Sequence, residues 1–179
     1  MPPRPGFIHP TANIGDPPES RDYTGPGIQP IIHPTAQINA FSNIDAGTER
    51  ATRLDKDAWA MALVHIGHDA LVGEGCELAP GTVVGGFVTL GRDVRCGVGV
   101  IIRPRVTVGD GARLGAGAVV VADVPPGETW IGNPARRLYE ATGEVLTPSE
   151  EEGWEEVAAH ETDEAIFAER FDRARTPNG

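Results

Sequence analysis

Apolar residues recur at every sixth position through the middle of the chain. The series has twelve members without a slip in register: Leu54, Ala60, Ile66, Val72, Leu78, Val84, Leu90, Cys96, Ile102, Val108, Leu114 and Val120. A second series, four residues further on in each repeat, holds only small or β-branched residues: Ala58, Val64, Ala70, Cys76, Thr82, Val88, Val94, Val100, Val106, Ala112, Ala118 and Val124. A period of six matches neither the helical turn of 3.6 residues nor the alternation of an ordinary strand. The pattern therefore predicts short strands joined by sharp corners, with both series pointing inward.

Glycine or an acid usually follows the large apolar position, and both residue types tolerate the backbone angles of tight corners. These residues are Asp55, Gly67, Gly73, Gly85, Gly91, Gly97, Gly109 and Gly115. Three hexads make one triangular coil of 18 residues, and stacked coils form a parallel β-helix. Such a slender core needs little aromatic bulk, in keeping with 6% aromatic residues, 23 glycines and 16 prolines. The sequence predicts an all-β solenoid.

The period changes phase before Leu54. Ile8, Ile14, Ile32, Ile38 and Ile44 keep the spacing in their own registers. Ten residues separate Ile44 from Leu54, which predicts a four-residue insertion that bulges from a corner near residues 47–52. Residues 15–31 are rich in proline and glycine and predict an irregular loop. We therefore expect an N-terminal strand pair and loop over 1–31, a β-helix over 32–138 and an extension over 139–179.

The formal net charge of −11 belongs mainly to that extension. Residues 140–179 hold 12 acids and 3 bases, whereas residues 1–139 hold 14 acids and 12 bases. The run Thr147–Glu150 has the N-cap, proline and glutamate of a helix start, so an acidic helical segment is predicted. The charge argues against nucleic acid or an anionic membrane surface as a partner.

The expected compartment is the reducing cytoplasm. Met1–Pro5 lacks the apolar run of a secretory signal, and no stretch reaches the ~18 apolar residues of a membrane span. Cys76 and Cys96 fall on inward positions, which predicts core packing rather than a disulfide framework or a zinc site.

Two histidines flank the inward Ile66, so His65 and His68 can both face outward at a corner. Histidine is the side chain best suited to proton transfer near neutral pH, and Asp69 could orient its ring. A polar corner without catalysis is equally compatible with the spacing.

At this point the sequence resembles the left-handed β-helix acyltransferases built from hexapeptide repeats. The segment Ile44–Asp69 is similar to UDP-sugar acyltransferases of lipid A synthesis, and Ile131–Arg136 is similar to the closing motif of acetyl-CoA-dependent members. The combination looks most like acetyl-CoA-dependent sugar N- and O-acetyltransferases, including those that act on nucleotide-linked amino sugars. The resemblance covers roughly residues 32–138.

The resemblance implies direct acetyl transfer to a sugar amine or hydroxyl. His68 would be the general base, Asp69 its support, and the backbone N–H of Gly86 the donor to the oxyanion. It also implies a homotrimer with active sites between subunits. The residues expected at the acceptor are His65, Glu77 and Phe87.

Coenzyme A is the implied donor, and no metal is required. Residues 92–137 hold seven arginines against four acids, a positive stretch in an acidic protein. The residues expected to bind the donor are Gly97, Gly99, Arg103, Arg105, Gly115, Gly117, Asn133, Pro134, Ala135 and Arg136. Arginines that only solvate one face of a solenoid remain the alternative.

Departures from the family leave some choices open. Phe87 stands where the lipid A enzymes have a histidine, and Asp45–Thr48 stands where they have an arginine in the inserted loop, which favours acetyl over a long acyl chain. Glu77 stands where amino-sugar enzymes have a second histidine, so the acceptor is open.

Three rival interpretations share the fold or the ending. A γ-type carbonic anhydrase would bind zinc through three histidines, but Gly73 occupies the position of the second histidine in its usual pair. A non-catalytic β-helix scaffold is another possibility. Serine or xenobiotic acetyltransferases share the closing motif.

Overall fold

The computed structural model describes residues 6–18 and 23–138. The chain divides into two units, Met1–Tyr139 and Glu140–Gly179. The acidic helical segment predicted over 139–179 lies outside the described residues and stays a prediction. Within the described part of the chain, no helix is long and apolar enough to cross a membrane.

Short strands of two or three residues make up the described chain. They are β1 (Phe7–Ile8), β2 (Asn13–Ile14), β3 (Ile31–Ile32), β4 (Gln37–Ile38), β5 (Asn43–Ile44), β6 (Arg53–Leu54), β7 (Trp59–Ala60), β8 (His65–Ile66), β9 (Leu71–Val72), β10 (Glu77–Leu78), β11 (Val83–Val84), β12 (Thr89–Leu90), β13 (Arg95–Cys96), β14 (Ile101–Ile102), β15 (Thr107–Val108), β16 (Arg113–Leu114), β17 (Val119–Val120), β18 (Thr129–Ile131) and β19 (Arg136–Arg137).

The strands form three sheets, because each strand pairs with the strands one coil before and after it. The first face has the order β1-β4-β7-β10-β13-β16-β18-β19, the second β17-β14-β11-β8-β5-β2, and the third β15-β12-β9-β6-β3. All pairings are parallel except that of β18 with β19 at the end of the first face. The predicted left-handed parallel β-helix is confirmed, with about six turns.

The solenoid begins at Phe7. Strands β1 and β2 pair with β4 and β5, and β3 pairs with β6, so β1, β2 and β3 are the three sides of the first coil. The chain between β2 and β3 includes Ile28, which forms a bridge with Gly47 of the second coil. The strand pair expected as a separate N-terminal region is therefore continuous with the β-helix.

The core is a single apolar column inside the triangle. All twenty-four positions predicted to point inward are buried, including Cys76 and Cys96, which are free thiols. Ile66 and Leu78 are fully buried, and a side chain of this size contributes roughly 1.5–3 kcal/mol. Burial of Ile66 in this core makes its strand neighbour His65 point outward.

Two of the three corners carry residues that the sequence predicts at the site. The His68 corner is where the chain passes from the second face to the third, at residues 67–70, 85–88 and 103–106 of successive coils. The glycine corner is where it passes from the first face to the second, and its left-handed positions in the later coils are Gly81, Gly99 and Gly117. His9 lies in the glycine corner of the first coil, and His33 lies where the chain passes from the third face to the first. Each ring accepts a hydrogen bond from the backbone of the threonine two residues on.

Candidate active site

His68 stands at the corner that follows β8, with its side chain 30% exposed. The ring Nδ1 lies 2.8 Å from Oδ2 of Asp69. Asp69 takes a left-handed backbone angle of φ 61°, which aspartate tolerates better than most residues, and its carboxylate is fully buried. The corner therefore turns the Asp69 carboxylate under the histidine ring.

The predicted insertion is what holds this carboxylate. Thr48 donates to Oδ2 from its backbone N–H (2.9 Å) and its hydroxyl (2.8 Å). The backbone N–H groups of Glu49 (2.8 Å) and Arg50 (2.6 Å) donate to Oδ1. Burial opposes ionisation of Asp69, but the donors at Arg50, Thr48, His68 and Glu49 outweigh it and hold the pKa of this carboxyl well below its usual range.

An ionised Asp69 decides the tautomer of His68. A carboxylate only accepts hydrogen bonds, so Nδ1 of the neutral ring must carry the hydrogen, and Nε2 is left with its lone pair. Nε2 is therefore the atom of His68 that can take a proton from a substrate.

Gly86 lies directly beside that atom, at the same corner of the next coil. A Cβ on Gly86 would come 2.6 Å from Nε2 of His68 and 2.9 Å from Cε1. The Gly86 N–H donates to no acceptor among the described residues. An unpaired backbone donor beside a base is the arrangement that stabilises an oxyanion.

Phe87 and Arg105 extend this corner along the solenoid. The Phe87 ring packs edge-on against the His68 ring at a centroid distance of 5.1 Å, and the Arg105 guanidinium lies 4.4 Å from the Phe87 centroid. Both residues have positive φ angles, 61° and 68°. The same left-handed angle recurs at other corners, as at Leu63 and Asp93, so the angle belongs to the repeat. The feature that favours a role in binding is the stacking of the Arg105 guanidinium on the Phe87 ring beside His68.

A pocket of about 540 Å³ opens beside His68 towards the first coil. It is lined by Asn13, Asp16, Pro17, Pro18, Asn43, Asp45, His65 and His68. The register of the second face aligns Asn13 with Asn43, and Asn43 with His65, because each is the outward neighbour of an inward isoleucine.

The pocket side chains form a hydrogen-bonded ladder. Asn13 Nδ2 donates to Asp16 Oδ2 (2.7 Å) and to Asn43 Oδ1 (2.9 Å). Asn43 Nδ2 donates to Asp45 Oδ1 (2.6 Å) and lies 3.2 Å from His65 Nδ1, and His65 Nε2 lies 3.7 Å from Asp45 Oδ2. Burial raises the pKa of Asp45, and its neighbours His65 and Asn43 offset this only in part.

Sequence reasoning did not assign six of the eight pocket residues to the site: Asn13, Asp16, Pro17, Pro18, Asn43 and Asp45. A signal was present for two of them, since the pairs Asn13-Ile14, Asn43-Ile44 and His65-Ile66 repeat one polar outward position before one inward isoleucine. Asp45 follows the inward Ile44 directly and Asp16 follows Ile14 by two residues, so both were expected near corners, but the period gave no sign that their side chains line one pocket.

Part of the chain that carries this corner matches a known family. Residues 51–86 match the family described as Bacterial transferase hexapeptide (six repeats). Over 127 residues, 69% of this chain, the sequence is 34% identical to the acyl-(acyl-carrier-protein)–UDP-N-acetylglucosamine O-acyltransferase of Herminiimonas arsenicoxydans. This chain belongs to the hexapeptide-repeat transferase family. It spans about half the length of the curated relatives that it matches, 48% in this case.

Solved structures agree with the family assignment. UDP-N-acetylglucosamine O-acyltransferase from Moraxella catarrhalis RH4 superposes with a TM-score of 0.72 at 28% identity, over 74% of this chain and 53% of that one. UDP-N-acetylglucosamine acyltransferase from Campylobacter jejuni gives a TM-score of 0.66 at 30% identity, over 74% and 52% of the two chains.

The other residues predicted from the family resemblance lie elsewhere on the coil. Glu77 is on the first face, where it faces Arg95 across 3.6 Å, and does not line the pocket. Gly97, Gly99, Gly115 and Gly117 are at the glycine corner, and a Cβ on Gly99 or Gly117 would meet no atom within 4 Å. Asn133, Pro134, Ala135 and Arg136 lie past the last coil, where the Ala135 N–H donates to the Val119 carbonyl. Only His65, Arg103, Arg105 and Phe87 share the second face or its corner with His68, Asp69 and Gly86.

The rival γ-type carbonic anhydrase interpretation requires a cluster of zinc ligands. Within residues 6–18 and 23–138, no group of three His, Cys, Asp or Glu side chains is placed to hold a metal ion. His65 and His68 instead contact Asp45 and Asp69 respectively.

Proposed function

We propose that this protein transfers an acetyl group from acetyl-CoA to an amine or hydroxyl of a nucleotide-linked sugar, with His68 as general base. One observation carries the proposal: His68, whose ring is oriented by the buried Asp69, lines an acceptor-sized pocket and has its Nε2 beside Gly86, whose N–H has no acceptor among the described residues. The names of the relatives, which include O-acyl transfer to UDP-N-acetylglucosamine, support acyl transfer to a nucleotide sugar.

His68 would take the proton of the acceptor as that atom attacks the thioester carbonyl. The Gly86 N–H would stabilise the oxyanion of the tetrahedral intermediate, because a fixed donor needs no reorganisation as charge develops. His68 would then return the proton to the departing thiolate. Asp69 would stabilise the ring while it is charged.

The donor would lie on the opposite side of Gly86 from the pocket. Arg103 and Arg105 are exposed there and could pair with the phosphates of coenzyme A. Gly99 and Gly117 have no side chains, so they leave a shallow groove on the surface of the glycine corner, which we call the lane. This corner is a different one from that of His68. A donor that reaches both would therefore lie between two copies of the chain, as the proposed homotrimer requires. Since acetyl-CoA is a cytoplasmic donor, the cytoplasm is the proposed location.

The test is CoA release and product mass with purified protein, acetyl-CoA and UDP-linked sugars, beside acetyl- and longer acyl-carrier proteins as rival donors. We expect acetyl-CoA to be used and His68→Ala to lower kcat by roughly 10²–10⁴-fold without unfolding the protein. Faster transfer from an acyl-carrier protein would overturn the choice of donor. Equal rates for wild type and His68→Ala would overturn His68 as the general base, and no transfer at all would favour the non-catalytic scaffold.

A further inference from the structure

We propose that the acceptor is an amine, bound as its ammonium ion between Asp16 and Asp45. The inference rests on the proposed function, because it names the acceptor class of the same site. Both carboxylates line the pocket that His68 also lines, so a group held there lies next to the base.

The hydrogen-bond ladder leaves the pocket short of donors. An amide NH₂ has two hydrogens, and both are used within the ladder at Asn13 and at Asn43. His65 accepts at Nδ1, so its remaining hydrogen is on Nε2 and points towards Asp45. The oxygens left for a ligand are acceptors, chiefly those of Asp16 and Asp45. A ligand must therefore supply the hydrogens, and an ammonium supplies three where a hydroxyl supplies one.

The charge of the pocket favours the same ligand. Asp16 and Asp45 are its charged side chains, and no lysine or arginine is present among the described residues that line it. Burial raises the pKa of the Asp45 carboxyl, and the nearby Asp16 adds to the effect. His65 and Asn43 offset only part of the cost of burying the Asp45 carboxylate, and a bound ammonium would offset more of it.

The reaction balances for this acceptor. The ammonium first loses one proton to solvent, and the neutral amine attacks the thioester carbon, so that a C–N bond forms. His68 takes a second proton from the nitrogen and gives it to the sulfur as the C–S bond breaks. The products are an amide, a free thiol and one proton. The amide is uncharged, so the carboxylates bind it less tightly than the ammonium, which favours product release.

Matched substrates separate this proposal from the broader one. The probes are two pairs, UDP-glucosamine with UDP-glucose and UDP-4-amino-4,6-dideoxyglucose with UDP-6-deoxyglucose, each assayed with acetyl-CoA for CoA release and product mass. We expect the amine of at least one pair to be used with kcat/KM at least about tenfold above its hydroxyl partner. Faster acetylation of the hydroxyl partners overturns the amine while the proposed function stands. No transfer to any of the four overturns both.

Charge-neutralising variants test the role of the carboxylates. Asp45→Asn and Asp16→Asn keep the side-chain shape, so we expect the KM for the amine to rise about tenfold while that for a hydroxyl changes little. The matched control is Glu74→Gln, an exposed carboxylate paired with Lys56 at another corner, which should leave both constants unchanged. Asp45→Asn should also keep or raise the melting temperature. A fall in melting temperature with equal losses for amine and hydroxyl would assign Asp45 to the fold instead.

Discussion

A methyl group added to Gly86 would lie 2.6 Å from Nε2 of His68, closer than real Cβ atoms come to any neighbour. The glycine is therefore required by the histidine of the preceding coil and not by its own backbone, since its φ is not positive. Pro104 occupies the equivalent position of the next coil, which shows that the corner itself accepts a Cβ.

Gly86→Ala should abolish most activity while the protein stays folded. The added methyl displaces the end of the His68 side chain and with it the 2.8 Å contact to Asp69. We expect kcat to fall by about 10²-fold or more and the melting temperature to change little. The adjacent Gly85→Ala is the matched control, because its Cβ would meet the backbone nitrogen of Pro104 at 2.6 Å. Gly85→Ala should therefore have a lower melting temperature than Gly86→Ala. Equal melting temperatures of the two variants would contradict the conclusion that His68, and not the backbone, requires glycine at position 86.

Asp69→Asn should weaken the fold above about pH 4 and reduce its sensitivity to acid. The folded-state pKa of Asp69 lies below the ordinary value of about 3.9, so its contribution is complete above that value and is lost as pH falls through the lower folded value. Asparagine keeps one acceptor but turns its NH₂ towards loop donors, at a cost of about 1–3 kcal/mol. Urea unfolding at pH 7 and pH 3 measures both effects. A wild-type pH dependence retained in the variant would assign the acid sensitivity to other groups.

Phe87, expected at the acceptor, and Arg105, expected at the donor, should act as one unit, because the Phe87 ring supports the Arg105 guanidinium. Phe87→Leu keeps apolar bulk at a left-handed position, as Leu63 already does at φ 61°, but removes the ring that Arg105 stacks on. A cation–π contact is worth roughly 0.5–2 kcal/mol, so we expect the KM for acetyl-CoA to rise about 2- to 30-fold, with a similar rise for Arg105→Ala. The double variant should be little worse than either single one. Strictly additive effects would show that the two residues act separately.

The glycine corner should serve a neighbouring copy. Gly99→Asp introduces a residue type that tolerates the φ of 68° at this position. It also places a negative charge in the lane, where it would repel the phosphates of CoA. Alone, Gly99→Asp and His68→Ala should both be nearly inactive. Mixed trimers of the two variants should recover activity, because some sites then combine an intact His68 with an intact lane. Absence of recovery in confirmed mixed trimers would place the donor within one chain.

The thiols should be inert in the folded protein. Burial raises the pKa of Cys76 to about 12 and raises that of Cys96 as well, so neither forms the reactive thiolate at neutral pH. We expect no reaction with a thiol reagent until denaturant is added, and then two equivalents. Activity that falls as a thiol is modified in native buffer would contradict a packing role.

Periodicity along the chain was sufficient for the fold. A six-residue repeat with inward residues from Leu54 to Val124 has one compact solution, because each inward position is buried only when the next coil stacks on it. The burial of Cys76 and Cys96 follows from the same period. The motif at His65–Asp69 likewise indicated a polar corner with a base and a carboxylate.

Contacts between coils decided the site. The partners of Asp69 lie about twenty residues earlier in the insertion, whose path no period specifies. Asn13 and Asp16 reach the pocket because the first coil stacks on the second, which pairs Asn13 with Asn43. Glu77 and the glycines at 97–117 fall on other sides of the triangle from His68. Spacing determines which residues face out. Which of them come into contact is decided by the stacking of the coils and the paths of the loops, and both depend on the whole solenoid.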